Sequence, residues 1–269
     1  MPSDPNPCPR RGLPQRRTRC WLLQFRTSIF SLGAFLAIAH TGLAQSVPNV
    51  TRTMPPVIVI GFVGGFIKHD NLVHSEVQLA ARLRKAYPVG VDVETFESYH
   101  GKEARKKVLS LLDTNHDGTL TPDEKQNGRI IIYGHSWGGS EAINLARKLG
   151  KDGIPVLLTI QVDSIAKIHQ DDSLIPANVA QAANFYQAGG IFHGQSKIRA
   201  ADPAGTSILG NFRFDYKTSA YTCDQYPWYD RIFGKSHTQI ECDPEVWKQA
   251  ESLIRSNLPP TRKTAALTR

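Results

Sequence analysis

An α/β fold, a mostly parallel sheet flanked by helices, is predicted for residues 55–258 by three observations. Short apolar runs alternate with segments of helical periodicity, the pattern left by strands joined through crossover helices. The clearest runs are continuously apolar, as in strands buried on both faces. At 269 residues the chain is long enough for one large domain with a buried sheet and too short for two.

The elements read in order. Val57-Ile58-Val59-Ile60 is a strand ending on Gly61. Val73–Tyr87 carries Val77, Ala80, Ala81 and Leu83 at helical spacing and stops at Pro88. Val91–Phe96 alternates as a strand, and Lys102–Leu112 is a helix with a basic outer face. Arg129–Tyr133 is a second buried strand, and Gly139–Leu149 the helix after it. Val156–Val162 is another strand and Ala182–Gln187 a further one. Between Gly189 and Gly234, Gly, Asp and aromatic residues mix without a period, and no element can be read there. Pro244–Leu258 closes the domain as an amphipathic helix with Val246, Trp247, Leu253 and Ile254, and residues 259–269 are a loose tail. No internal repeat is present.

Composition is that of an ordinary globular protein, with 41% hydrophobic and 21% charged residues. The net charge of +8 suggests an acidic partner until it is located. Residues 1–44 hold six arginines (Arg10, Arg11, Arg16, Arg17, Arg19, Arg26) against the single acid Asp4. The modest remainder calls for neither nucleic acid nor an anionic membrane.

That same segment reads as an export signal. Its arginines lead into an apolar run from Ile29 to Ala44 that closes on Gly42-Leu43-Ala44, small residues of the kind a signal peptidase reads. The run is shorter than the roughly 20 residues needed to span a bilayer, so no transmembrane span is expected in the mature chain. An uncleaved anchor is the alternative. Residues 45–54 are then a linker, and the destination is the periplasm or the exterior. The mature chain keeps only Cys223 and Cys242, expected to pair in an oxidising compartment around a loop containing His237.

Gly134-His135-Ser136-Trp137-Gly138 fits G-x-S-x-G. Alone the pattern is weak. Its setting, directly after a buried strand and opening a helix, puts Ser136 on a strained elbow with its hydroxyl exposed at the sheet edge. The helix N-terminus adds a partial positive charge where an oxyanion would develop.

Residues Ile130 to Gly139 resemble the nucleophile elbow of the α/β-hydrolase superfamily, especially its lipases and esterases, and the likeness in element order runs from about Pro55 to Leu258. The resemblance implies an oxyanion hole of two backbone N–H groups. One is Trp137. The other falls in Gly61-Phe62-Val63-Gly64-Gly65, which resembles the glycine-rich oxyanion loop of lipases; it is assigned to Phe62, with Val63 next.

A serine needs a histidine to take its proton and a carboxylate to orient that histidine. The superfamily order is Ser, acid, His. His169 comes too soon after a strand, His193 has no helix after it, and His237 stands shortly before the last helix, so His237 is the expected base. Asp163, ending the strand Val156–Val162, is the preferred acid, an early placement resembling the pancreatic-lipase type. Asp202, in Ala201-Asp202-Pro203, is the rival if residues 197–201 are the later strand.

A second motif lies upstream. Residues 113–124, from Asp113 to Glu124, match the EF-hand loop at every specified position and follow a helix. Asp113, Asn115 and Asp117 alternate inward, Gly118 permits the turn, the Thr119 carbonyl points in and Glu124 closes the shell. Asn127-Gly128 cuts the outgoing helix short, so the segment resembles a dockerin loop and implies a structural Ca²⁺ clip. Together the motifs predict an exported serine hydrolase acting on a small-molecule or lipid ester. An acyltransferase or thioesterase on the same residues, or a non-catalytic calcium-stabilised binding protein, stays open.

Overall fold

A computed structural model describes residues 55–189, 192–217, 222–231 and 234–260. The expected leader (1–44), the linker (45–54) and nearly all of the tail lie outside them. Six strands form one parallel sheet: β1 (Val57–Val63), β2 (Asp92–Glu97), β3 (Arg129–His135), β4 (Val156–Val162), β6 (Val179–Gln187) and β8 (Ser207–Phe214). Their order is β2-β1-β3-β4-β6-β8. Two-residue strands β5 (Leu174–Ile175) and β7 (Arg199–Ala200) pair apart from it.

Alternate residues of each strand face opposite sides of the sheet, and here both sides are core. Val57 and Val59 of β1, with Ile131 and Tyr133 of β3, pack on α1 (Ser75–Ala86) and α6 (Pro244–Ser256) through Leu79, Leu83, Trp247 and Ile254. Ile58, Ile60, Ile130 and Ile132 pack on α2 (Gly101–Leu112) and α4 (Trp137–Lys151) through Val108, Leu112, Ile143 and Leu145. This double coverage is why the strands read as unbroken apolar runs. The short α3 (Pro122–Asn127) and α5 (Lys235–Cys242) complete the helices, with a 3₁₀ turn at Trp228–Arg231.

The chain leaves β1 for β2 on one side and returns to β3 on the other. Strand order therefore reverses between β1 and β3, and their carboxyl ends open the crevice where ligands of such sheets bind.

Two regions differ from expectation. β8 falls in the stretch that gave no period, because this edge strand is only partly covered and Gly210, Asn211 and Arg213 interrupt its apolar residues. Residues 197–201 supply only β7, not a strand of the main sheet.

Candidate active site

β3 ends at His135 and α4 begins at Trp137, leaving Ser136 alone to make the turn. Its backbone sits at φ 54° and ψ −126°, a region that costs a residue with a β-carbon unless its surroundings enforce it. The flanking glycines allow that. A Cβ on Gly134 would lie 2.4 Å from the carbonyl of Gly138, and one on Gly138 would lie 2.4 Å from the carbonyl oxygen of Phe62. The Ser136 N–H donates to Val162 O at 3.0 Å, tying the elbow to β4.

Asp163 follows β4 directly and also has a positive φ, 41°. It is fully buried. Its Oδ2 accepts from Gln187 Nε2 at 2.9 Å and lies 2.7 Å from His237 Nδ1. Its Oδ1 accepts from the N–H of Gly194 at 2.6 Å. A Cβ on Gly194 would lie 2.6 Å from the Asp163 backbone, so glycine is what lets this N–H approach. His237 stands in the first turn of α5, with Nε2 2.9 Å from Ser136 Oγ. With Nδ1 donating to Asp163, Nε2 is left to accept the serine proton. Ser136, His237 and Asp163 are thus in one hydrogen-bonded line.

His237 differs from expectation in its setting: α5 is a separate helix, with α6 starting after the capping Asp243. His169 and His193 are exposed. Asp202 is not brought to the serine; its Oδ1 accepts from Ala204 N at 3.1 Å and its carbonyl from Thr206 N at 2.9 Å, the work of a turn cap.

Trp137 is the first residue of α4, at the positive end of the helix dipole. Phe62 lies within β1, in register with Phe96 on one side and Gly134 on the other, its ring 6.2 Å from that of Phe96. The turn after β1 comes nearer the nucleophile: a Cβ on Gly64 would lie 3.1 Å from Ser136 Cβ.

The sequence reading passed over Gln187 and Gly194, which hold Asp163, and a buried polar group behind His237. The His135 ring stacks on His237 with centroids 4.7 Å apart and faces Glu76 and Glu241 at 3.5 and 3.6 Å. Burial opposes charge on Glu76, but His135 outweighs it and holds the Glu76 pKa below its ordinary value. Burial likewise opposes charge on His135, and Glu241 and Glu76 reverse the balance and raise its pKa. One sign was legible: Glu76 shares a helical stripe with Leu79, Ala80 and Leu83. Gln187 and Gly194 carry no such sign, since their role depends on where β6 ends.

Residues 113–124 form an exposed loop that turns at Gly118, φ 81°. Asp113 Oδ2 accepts from Gly118 N at 2.9 Å, Asn115 Oδ1 from Asp117 N at 3.0 Å and Asp117 Oδ1 from Thr119 N at 2.7 Å. All three thus accept from the loop's own backbone. Glu124 caps α3 instead, accepting from Thr121 N at 3.0 Å and from Thr114 N at 2.9 Å. Cys223 and Cys242 form a disulfide, with Cα atoms 6.0 Å apart, which anchors the end of α5.

No protein-family model matches the sequence, and no curated protein matches it. Solved structures similar to the chain include an acetylxylan esterase, at 14% identity over 77% of this chain and 100% of that one, TM-score 0.38. RedJ, a thioesterase of the prodiginine pathway in Streptomyces coelicolor, is 11% identical over 76% of this chain and 87% of its own, TM-score 0.39. The thioesterase domain that cyclises the lipopeptide antibiotic surfactin is 13% identical over 74% and 92%, TM-score 0.37.

Proposed function

We propose that this chain is an exported serine hydrolase that cleaves carboxylic esters through Ser136, His237 and Asp163. The observation that carries the reading is the line from Ser136 Oγ to His237 Nε2 at 2.9 Å and from His237 Nδ1 to Asp163 Oδ2 at 2.7 Å. A serine held on a positive-φ turn at a sheet crevice, with a buried carboxylate behind its histidine, is the arrangement nucleophilic acyl transfer needs.

In this mechanism His237 Nε2 takes the hydroxyl proton as Oγ attacks the ester carbonyl. Asp163 holds the imidazole in the correct tautomer and stabilises its cation. The oxyanion is received by the N–H of Trp137 and by one at the end of β1. Phe62 is the first candidate for that second donor, and Val63, beside Gly64, the next. His237 returns its proton to the departing alkoxide. Water, deprotonated by the same histidine, then releases the acid from Ser136.

The rim supports an apolar substrate portion. Phe66, Leu72, Tyr99, Ile168, Phe192 and Trp228 are large hydrophobic residues left exposed, all on connections leaving the carboxyl edge of the sheet. Phe66 packs edge-on against Trp137 with ring centroids 5.5 Å apart. The disulfide supports an oxidising destination. No helix among the described residues is long and apolar enough to cross a membrane. Calcium, when bound, would be held by Asp113, Asn115, Asp117, the Thr119 carbonyl and Glu124 as a clip before β3, with Glu124 turning from its cap.

A fluorophosphonate probe and a p-nitrophenyl ester series test the reading. Wild type is expected to be labelled and to favour acyl chains longer than acetyl, while Ser136→Ala is neither labelled nor active. A folded wild type that resists the probe would leave a binding protein that kept the fold. Probe labelling with activity only towards an alcohol or amine acceptor would mean an acyltransferase.

A further inference from the structure

Beneath His237, four ionisable side chains from three elements meet away from solvent. His74 caps α1, Glu76 lies in its first turn, His135 ends β3 and Glu241 lies near the end of α5. His74 and Glu76 are 0% exposed, and His135 and Glu241 are 2% and 3%. The hydrolytic mechanism uses none of them directly.

Ligand atoms of His74, Glu76 and Glu241 lie within 4.8 Å of one another, a grouping of three found nowhere else among the described residues. His135 Nδ1 is 3.5 Å from Glu76 Oε1 and 3.6 Å from Glu241 Oε2. Those separations are long for hydrogen bonds. His135 thus stands beside that group of three, at distances close to the spacing of about 3.4 Å between two ligands that each sit 2.0–2.1 Å from a tetrahedral zinc ion. Both carboxylate oxygens of Glu76 and both ring nitrogens of His135 are buried without a hydrogen-bond partner among the described residues. Burying such groups is costly unless something satisfies them.

We propose that His74, Glu76 and Glu241, with His135 drawn in from beside them, form a buried site for one divalent transition-metal ion of the zinc class. Two imidazole nitrogens with two carboxylate oxygens make a donor set suited to zinc. The charges also match: the ion's two positive charges cancel the two carboxylates while both imidazoles stay neutral. On binding, His74 Nδ1 exchanges its 2.6 Å contact with Glu241 Oε1 for the ion. All four positions then belong to the protein, which defines a structural site. The ion fastens α1, β3 and α5 together behind the base and fixes the ring on which His237 stacks. Being buried, it enters as the chain folds. The proposal does not depend on the substrate assigned to Ser136. Its competitor is a metal-free cluster in which both imidazoles are protonated and the four groups neutralise one another.

The test is metal analysis of the full chain produced with zinc and dialysed, together with visible spectroscopy after replacement by Co²⁺. Expected are about one zinc per chain and the strong visible bands of tetrahedral cobalt. Glu76→Gln and Glu241→Gln should weaken retention by about tenfold or more, while Glu124→Gln, confined to the exposed loop, keeps the metal. A folded wild type without zinc, or zinc that persists in both folded Glu→Gln variants, overturns the site. If the Gln variants do not fold, the wild-type cobalt spectrum decides: tetrahedral bands uphold the site, and weak octahedral absorption overturns it.

Discussion

At the scale of single residues, the nucleophile and its acid separate cleanly. Ser136 touches His237 through Oγ alone, so Ser136→Ala removes the reactive atom while its methyl fits the same space. Turnover should vanish with the melting temperature nearly unchanged. Asp163 is buried and holds His237 and two backbone or amide donors, whereas Asp202 caps a surface turn. Asp163→Asn is therefore expected to lower kcat by about 10⁴, and Asp202→Asn to leave it near wild type; equal or reversed losses in steady-state kinetics would return the role to Asp202. Glu97, at the end of β2, adds a pH effect. Burial opposes its charge, but His69 and His100 outweigh burial and lower its pKa from 4.5 to about 2. A carboxylate with a depressed folded-state pKa stabilises the fold above its unfolded value and loses that contribution as pH falls through the folded one. The wild type should therefore melt higher than Glu97→Gln above about pH 5 and lose that margin towards pH 2. A margin that stays constant down the acid range would show that the pairing contributes nothing.

At the scale of elements, α5 carries His237, the proposed base, and the loop before β3 has no part in the proposed chemistry. His237 lies in the eight-residue α5, whose last residue is bridged to Cys223. An isolated helix this short is unstable in water, so its place depends on packing and on the bridge. Mild reduction is expected to lower ester turnover before the far-ultraviolet signal of the sheet changes. Loss of both together would mean the bridge supports the whole domain. The 113–124 loop supplies no atom to Ser136, His237 or Asp163. If it binds calcium at the 10⁻⁴–10⁻³ M affinities of extracellular modules, millimolar calcium should raise the melting temperature by a few degrees at most. EGTA should reverse that shift and spare room-temperature turnover, and Glu124→Gln should abolish the shift. A melting curve indifferent to calcium, EGTA and Glu124→Gln would reduce the loop to a turn. Immediate loss of turnover on chelation, without unfolding, would make the metal catalytic.

At the scale of the whole molecule, the sheet converts distant sequence positions into one site. Ser136, Asp163 and His237 each follow or face the carboxyl end of a strand, and the apolar rim comes from the loops around them. Most of the elements were legible in the sequence because both faces of the sheet are covered. Burial on both sides leaves runs such as Val57–Ile60 and Val156–Val162 apolar throughout, and these runs need no partner to be recognised. The elbow was legible for a local reason too: a strand, a turn at positive φ and a helix within a few residues force glycine at fixed places. What stayed hidden was long-range. β8 is an edge strand with mixed exposure, so no period marks it. Asp163 could be preferred to Asp202 only on the clarity of the preceding strand; the contact to His237 across 74 residues is what separates them. Which N–H at the end of β1 comes nearest Ser136 depends on the register of β1 against β3, which no local pattern fixes. Glu76, His74, His135 and Glu241 show the limit most plainly. His74, Glu76 and His135 lie in or beside elements read from the sequence and Glu241 in α5, which was not, and their meeting behind His237 exists only once α1, β3 and α5 pack. The sequence alone thus determined the alternation of elements and the strand–turn–helix elbow at Ser136, because those follow from burial and backbone sterics within short windows. The tertiary structure decided which side chains meet, Asp163 with His237 and Glu76 and Glu241 with His135, because electrostatic partnership depends on distance in space and leaves no period in the chain.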